Sequence, residues 1–195
     1  YTPADASVDQ LNLLHQTLGI QRVVIVHPSP YGTDNLRTKD AIQELGPKAR
    51  GVAVIDENTI TKQQVEQLHE AGFRGARLNL ETFGVTDPRE AKEKLSKTAQ
   101  LVKSLGWHIQ IFSNLDLVTS LKSEIMHCEV PVVLDHFARM PIDEGIDHPR
   151  IKQLFEMMES GNIWMKLSAP QRAISNPDSP VMADLVEKLL SICPD

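Results

Sequence analysis

The chain has 195 residues, 41% of them hydrophobic and 24% charged, enough for one globular domain with a sizeable core. A formal net charge of −6 without any Lys/Arg cluster excludes nucleic acid or an anionic membrane surface as the main partner, while local basic residues in a cleft can still bind an anionic small molecule. The two cysteines, Cys128 and Cys193, are far apart and lack metal-ligand spacing, so they imply neither a disulfide framework nor a zinc knuckle.

No apolar run approaches the roughly 20 residues of a membrane span, and the first residues lack the basic and apolar regions of a signal peptide. The expected compartment is the reducing cytoplasm. The chain opens on Tyr1 without a Met and closes on Ser-Ile-Cys-Pro-Asp directly after a helical pattern, which reads as a piece of a longer domain.

From Ser7 to Leu18 the apolar residues Val8, Leu11, Leu14 and Leu18 recur at spacings of three and four, predicting an amphipathic helix capped by Ser7 and stopped by Gly19. Val23 to Val26 is a short β-branched run that predicts a strand buried on both faces. It ends in His27-Pro-Ser-Pro-Tyr-Gly32, whose prolines and glycine demand an ordered loop. A second helix, capped by Thr33 or Asp34, runs to Leu45, and Arg50 to Ile55 follows as a strand. A third helix spans Thr61 to Ala71.

Phe73 to Leu80 places Arg77 and Asn79 on alternate positions after the small residues Gly75 and Ala76, the pattern of a strand whose polar face looks into a cavity. Pro88 to Leu105 is a long helix with a solvated charged face. Trp107 to Phe112 alternates as a strand, Leu115 to Met126 reads as a helix, and Val132 to His136 is the central strand, its apolar run ending at Leu134 and its tip carrying Asp135 and His136. A helix over His148 to Ser160 leads to the strand Ile163 to Ser168, with Lys166 buried by pattern and Ser168 at its tip, and Asp184 to Ile192 is the last helix.

Six strand signals, each followed by a helix and starting roughly 24 to 33 residues apart, match the size of a βα repeat. A dinucleotide-binding fold needs a glycine-rich turn after its first strand, and the prolines after His27 argue against one. The expected architecture is therefore a TIM (β/α)8 barrel with about six units present and one strand missing at each end. Chemistry in such a barrel sits at the C-terminal tips of the strands.

Read together, these tips resemble the metal-dependent hydrolases of the amidohydrolase superfamily, in the branch typified by 2-pyrone-4,6-dicarboxylate hydrolase, a lactonase. The matching segments are Tyr1-Thr-Pro3, Val26 to Asn35, Arg50 to Val54, Gly72 to Asn79, His108 to Phe112, Val132 to His136, and Lys166-Leu-Ser168 with Arg172 beyond. The resemblance covers the whole chain and implies a single barrel domain. It makes His136 the catalytic histidine on an inner strand and gives Tyr1, Ser29, Arg77, Phe112 and Arg172 to the substrate. Phe112 stands where the lactonase has a tyrosine, and Phe83 falls where it has a second arginine. The family's His-x-His and its last-strand aspartate would lie outside residues 1–195. A divalent metal such as zinc is implied by the resemblance, with His136 the one credible ligand in this chain.

Hydrolysis of a lactone or amide needs a base to activate water and a group to stabilise the oxyanion, the second of which His136 can supply. Arg77 in an inward-facing position needs a carboxylate partner, and Glu81 in the same extended segment is too far along the strand to serve. The expected partner is a substrate carboxylate, shared with Arg172. His108 lies at the N-terminal end of its strand, the structural face of a barrel, and His15, His69, His127 and His148 read as surface or packing residues. The competing readings are a decarboxylase of the same superfamily and a non-catalytic barrel fragment that acts as a binding scaffold.

Overall fold

The computed structural model describes residues 6–193. Six strands, β1 (Val23–Val26), β2 (Ala49–Ala53), β3 (Phe73–Asn79), β4 (His108–Phe112), β5 (Val132–Leu134) and β6 (Ile163–Met165), form one sheet in chain order. Every neighbouring pair is parallel. Parallel neighbours need a crossover, and helices supply it each time. The helices are α1 (Val8–Leu18), α2 (Leu36–Leu45), α3 (Lys62–Glu70), α4 (Pro88–Val102), α5 (Leu115–Ser120), α6 (Lys122–Met126), α7 (Pro149–Met158) and α8 (Pro180–Ile192). The result is a half-barrel, as the βα alternation predicts. No helix among the described residues is long and apolar enough to cross a membrane.

Side-chain parity separates the two faces of the sheet. Ala76 and Leu78 of β3 and Ile109 and Ile111 of β4 belong to the core with Leu95, Val102, Trp107 and Leu154. On the opposite, concave face the register sets Gly75 beside His108, Arg77 beside Gln110 and Asn79 beside Phe112. Gly75 is required there because a Cβ on it would lie 2.5 Å from Cε1 of His108. That close approach lets an imidazole lie flat inside the barrel below the arginine.

Helix ends follow ordinary capping chemistry. Ser7 and Thr61 each close a capping box with a glutamine three residues on, and Gly19 ends α1 in the left-handed conformation. The cap of α2 is Asn35, one residue beyond the expected Thr33 or Asp34. Its amide instead bonds both the N–H and the C=O of Val54, tying the start of α2 to the tip of β2.

Four expectations are corrected. β1 is not buried on both faces, since Val24 is 56% exposed on the edge strand of the sheet. α1 buries none of its residues, and Leu14 and Leu18 stand exposed. The helix expected over Leu115 to Met126 divides at Leu121, where Thr119 and Ser120 turn their hydroxyls back onto the carbonyls of Leu115 and Leu117 and compete with the backbone ladder. α8 begins at Pro180, capped by Ser179, four residues ahead of the expected Asp184.

Candidate active site

Beyond β5 the backbone turns sharply. His136, Phe137, Ala138 and Arg139 all have φ near +50°, a conformation that non-glycine residues adopt only where surrounding structure holds them. Ala138 N–H donates to Asp135 O and Phe137 N–H to Lys166 O, with Phe137 and Ala138 buried. Arg139 forms an ion pair with Glu81, which anchors the turn to the segment after β3. These contacts aim the His136 ring at the concave face.

Asp135 is the hub of that face, with 1% exposure. Gln110 Nε2 donates to both carboxylate oxygens at 2.8 and 3.0 Å, Lys166 Nζ to Oδ1 at 2.9 Å and Arg77 Nε to Oδ2 at 3.2 Å. Burial alone would push this carboxyl up. The hydrogen bonds from Lys166 and Gln110, with the charges of Lys166 and Arg77, outweigh it and hold the group below the ordinary carboxylate range. Asp135 is thus a fixed anion, too weak a base to take a proton from water.

Sequence reasoning weighed only the local acid Glu81 as a protein partner for Arg77, and the structure corrects this. The partner is Asp135, 58 residues downstream and engaged through Nε alone. Nη1 reaches Ser29 Oγ at 3.3 Å, and the guanidinium lies 5.3 Å from the centre of the Phe112 ring. Arg172 approaches the same ring at 5.5 Å. His136 meets it edge-on at 5.6 Å with an interplanar angle of 84°. Three of the predicted side chains, Arg77, Arg172 and His136, therefore converge on a fourth, Phe112, and Ser29 touches the first of them. Tyr1 lies outside the described residues.

His136 Nδ1 is 2.9 Å from Ser168 Oγ. Burial lowers its pKa most, and the charges of Lys166, Arg172 and Arg77 lower it further against the opposing effect of Asp135, so the ring is neutral at pH 7. Lys166 is not buried as its strand pattern suggested. It lies just past the end of β6, is 34% exposed, and leans across to Asp135. Gln110 is a site residue that sequence reasoning passed over, and Lys166 was read as a buried strand residue without a role in the site. The available signal was parity, because Gln110 alternates with Phe112 on β4. Of the histidines read as packing residues, His69 accepts a hydrogen bond from Trp107 Nε1 at 2.9 Å and His148 caps α7.

The family model described as Amidohydrolase matches residues 1–190. The chain belongs to the amidohydrolase family. This amidohydrolase chain is 35% identical over 173 residues to 2-pyrone-4,6-dicarboxylate hydrolase of Comamonas testosteroni, a match over 88% of the chain and 56% of that enzyme. It is 26% identical to 4-sulfomuconolactone hydrolase of Hydrogenophaga intermedia, over 100% of the chain and 64% of that enzyme. The crystal structure of a probable 2-pyrone-4,6-dicarboxylic acid hydrolase from Acinetobacter baumannii with citric acid bound superposes with a TM-score of 0.82 at 26% identity, covering 98% of the chain and 70% of that structure. The chain thus spans about half to two thirds of the length of the curated relatives it matches.

Membership of the amidohydrolase family suggests a divalent metal, and the donor set tests that suggestion. Among the described residues no group of three or more His, Cys, Asp or Glu side chains is placed to hold a metal ion. Both oxygens of Asp135 already accept hydrogen bonds, two of them from the cationic groups of Arg77 and Lys166, and His136 directs Nδ1 at Ser168. A dication beside those two cations would meet strong repulsion. The described residues do not fit a divalent ion.

Proposed function

We propose that the protein to which this chain belongs is a lactone hydrolase acting on a small substrate that bears a carboxylate. The observation that carries this reading is the placement of Arg77, Arg172 and His136 around the Phe112 ring at the strand tips. An aromatic floor with two guanidinium groups above it suits a flat anionic ring. The names of the relatives support the same substrate class, since both act on lactones. We read the chain as one part of a single barrel domain.

In the proposed reaction a water oxygen bonds to the lactone carbonyl carbon, and negative charge gathers on the carbonyl oxygen. Collapse of that intermediate breaks the ring C–O bond, and the departing oxygen takes a proton, so the net change is addition of one water. His136 is placed to serve the first half. In the tautomer that the proposed reaction uses, Ser168 O–H donates to Nδ1, and the neutral ring carries its proton on Nε2 and offers it to the oxyanion. Arg172 forms no ion pair with a protein carboxylate among the described residues, so it is free to take the substrate acid group. Asp135, itself held by Gln110, binds Arg77 from behind through Nε and leaves the outer edge of its guanidinium to the ligand.

The test is kinetic, on the protein in its full natural length. Arg172→Met should raise KM for a carboxylate-bearing lactone by about tenfold and leave a neutral analogue nearly unchanged, because a hydrogen bond to a charged group contributes roughly 1.5–3 kcal/mol. Equal effects on both substrates, or no lactone opening by the wild type, would reject the proposal.

A further inference from the structure

The hydrogen-bonding polarity of Ser29 is dictated by its neighbours. A hydroxyl has two acceptor lone pairs and one donor hydrogen. Asn79 Nδ2 donates to Ser29 Oγ at 2.6 Å, and Arg77 Nη1 donates to the same oxygen at 3.3 Å. A guanidinium has no acceptor role. The Asn79 amide has no freedom to flip, because its Oδ1 accepts the backbone N–H of Thr82 at 3.0 Å. Asn79 is 3% exposed and Arg77 9%, so water does not readily replace either contact. Both lone pairs of Ser29 are spent, and its O–H finds no acceptor among the described residues.

We propose that Asn79 is a positioning residue that fixes Ser29 as an obligate hydrogen-bond donor, so that this corner of the site takes a carboxylate oxygen of the ligand beside Arg77. The assignment rests on the substrate class given above and deepens it. A ligand hydroxyl or amino group that needs an acceptor meets only donors here: the Ser29 O–H and the Arg77 guanidinium. Selectivity for an acid group at this position then comes from a residue that never touches the ligand.

The test uses the full-length protein and isophthalate, a flat dicarboxylate that cannot be hydrolysed, with binding read by calorimetry. Asn79→Ala frees the Ser29 hydroxyl to rotate. Asn79→Asp keeps the Thr82 contact and the shape but reverses the bond, since a carboxylate must accept from Ser29. Each should weaken isophthalate by about tenfold, the size of a lost hydrogen bond to a charged group. In a Ser29→Ala background the same Asn79→Ala change should cost less than about twofold, because its effect passes through the hydroxyl. A merely structural asparagine would give the same loss in both backgrounds, and that result overturns the proposal. Failure of the wild type to bind isophthalate overturns it as well. If Asn79→Ala does not fold, the uncharged and nearly isosteric Asn79→Leu, which cannot donate to Ser29, completes the cycle with Ser29→Ala. Because binding is read without turnover, loss of the lactonase reading with the coupling intact leaves the assignment of Asn79 standing, and lactone hydrolysis without the coupling removes that assignment alone.

Discussion

Asp135 holds one negative charge between two positive ones in a place that water barely reaches. Removing a single partner from such a cluster leaves an uncompensated buried charge, which is the costly half of ion-pair chemistry. Asp135→Asn should therefore destabilise the fold by about 3 kcal/mol or more, measured by urea denaturation, because Arg77 at 9% exposure loses its counter-ion. A loss below about 1 kcal/mol would show that solvent or the ligand already balances Arg77. The legibility of this cluster was uneven. Asp135 at a strand tip and Arg77 at an inward position could each be read from the order of apolar and polar residues. Their pairing could not, because strand periodicity reports which face a side chain takes and says nothing about a partner two strands away. Lys166 shows the same limit, since its pattern marked the inner face correctly but not the half-open position that its ammonium occupies.

The turn over His136 to Arg139 is the element that converts a buried strand into a site. Four successive left-handed residues without a glycine are unusual, as each residue with a Cβ pays roughly 1–2 kcal/mol in that region. The backbone bonds to Asp135 and Lys166 and the burial of Phe137 hold the turn in place. Ala138→Gly should stabilise the protein by about 1 kcal/mol or slightly less, since the strain relieved exceeds the added flexibility of the unfolded chain. A clear loss in a thermal or urea transition would mean that the Ala138 methyl group packs better than the turn strains. This turn was invisible beforehand because left-handed segments are recognised by Gly, Asn or Asp, and His-Phe-Ala-Arg contains none of them. A strand running on to His136 was the natural reading. It placed the imidazole at the correct rim and missed how its direction is set.

Across the whole molecule, the βα alternation was legible because buried parallel strands are short β-branched runs and amphipathic helices repeat at three and four. What covers each apolar face was not legible, and Val24 and the exposed leucines of α1 mark that boundary. The fold also has a pH dependence that no single element shows. His27 is fully buried behind β1, with Nδ1 on Thr38 Oγ1 at 3.0 Å and Nε2 without a partner, and burial lowers its pKa despite the Gly32 backbone and the Asp34 charge. Burial likewise lowers His108 against Gly75 and His136 at the rim. Each of the three binds a proton more readily in the unfolded chain than in the fold. Between their lowered folded values and the ordinary 6.5, the unfolded state therefore holds more protons, and stability falls as pH falls through that window. Asp135 has a depressed value and acts lower on the scale, its contribution being complete above 3.8 and lost as pH drops through its folded value. Urea denaturation should accordingly show a stability that is flat above pH 7 and declines below 6.5, with a slope of at most about 1.4 kcal/mol per pH unit for each histidine proton. His27→Gln keeps a side chain able to bond Thr38 and has no charge to gain, so it should reduce that slope by up to one proton. An unchanged slope in His27→Gln would move the acid sensitivity from behind β1 to the histidines of the concave face.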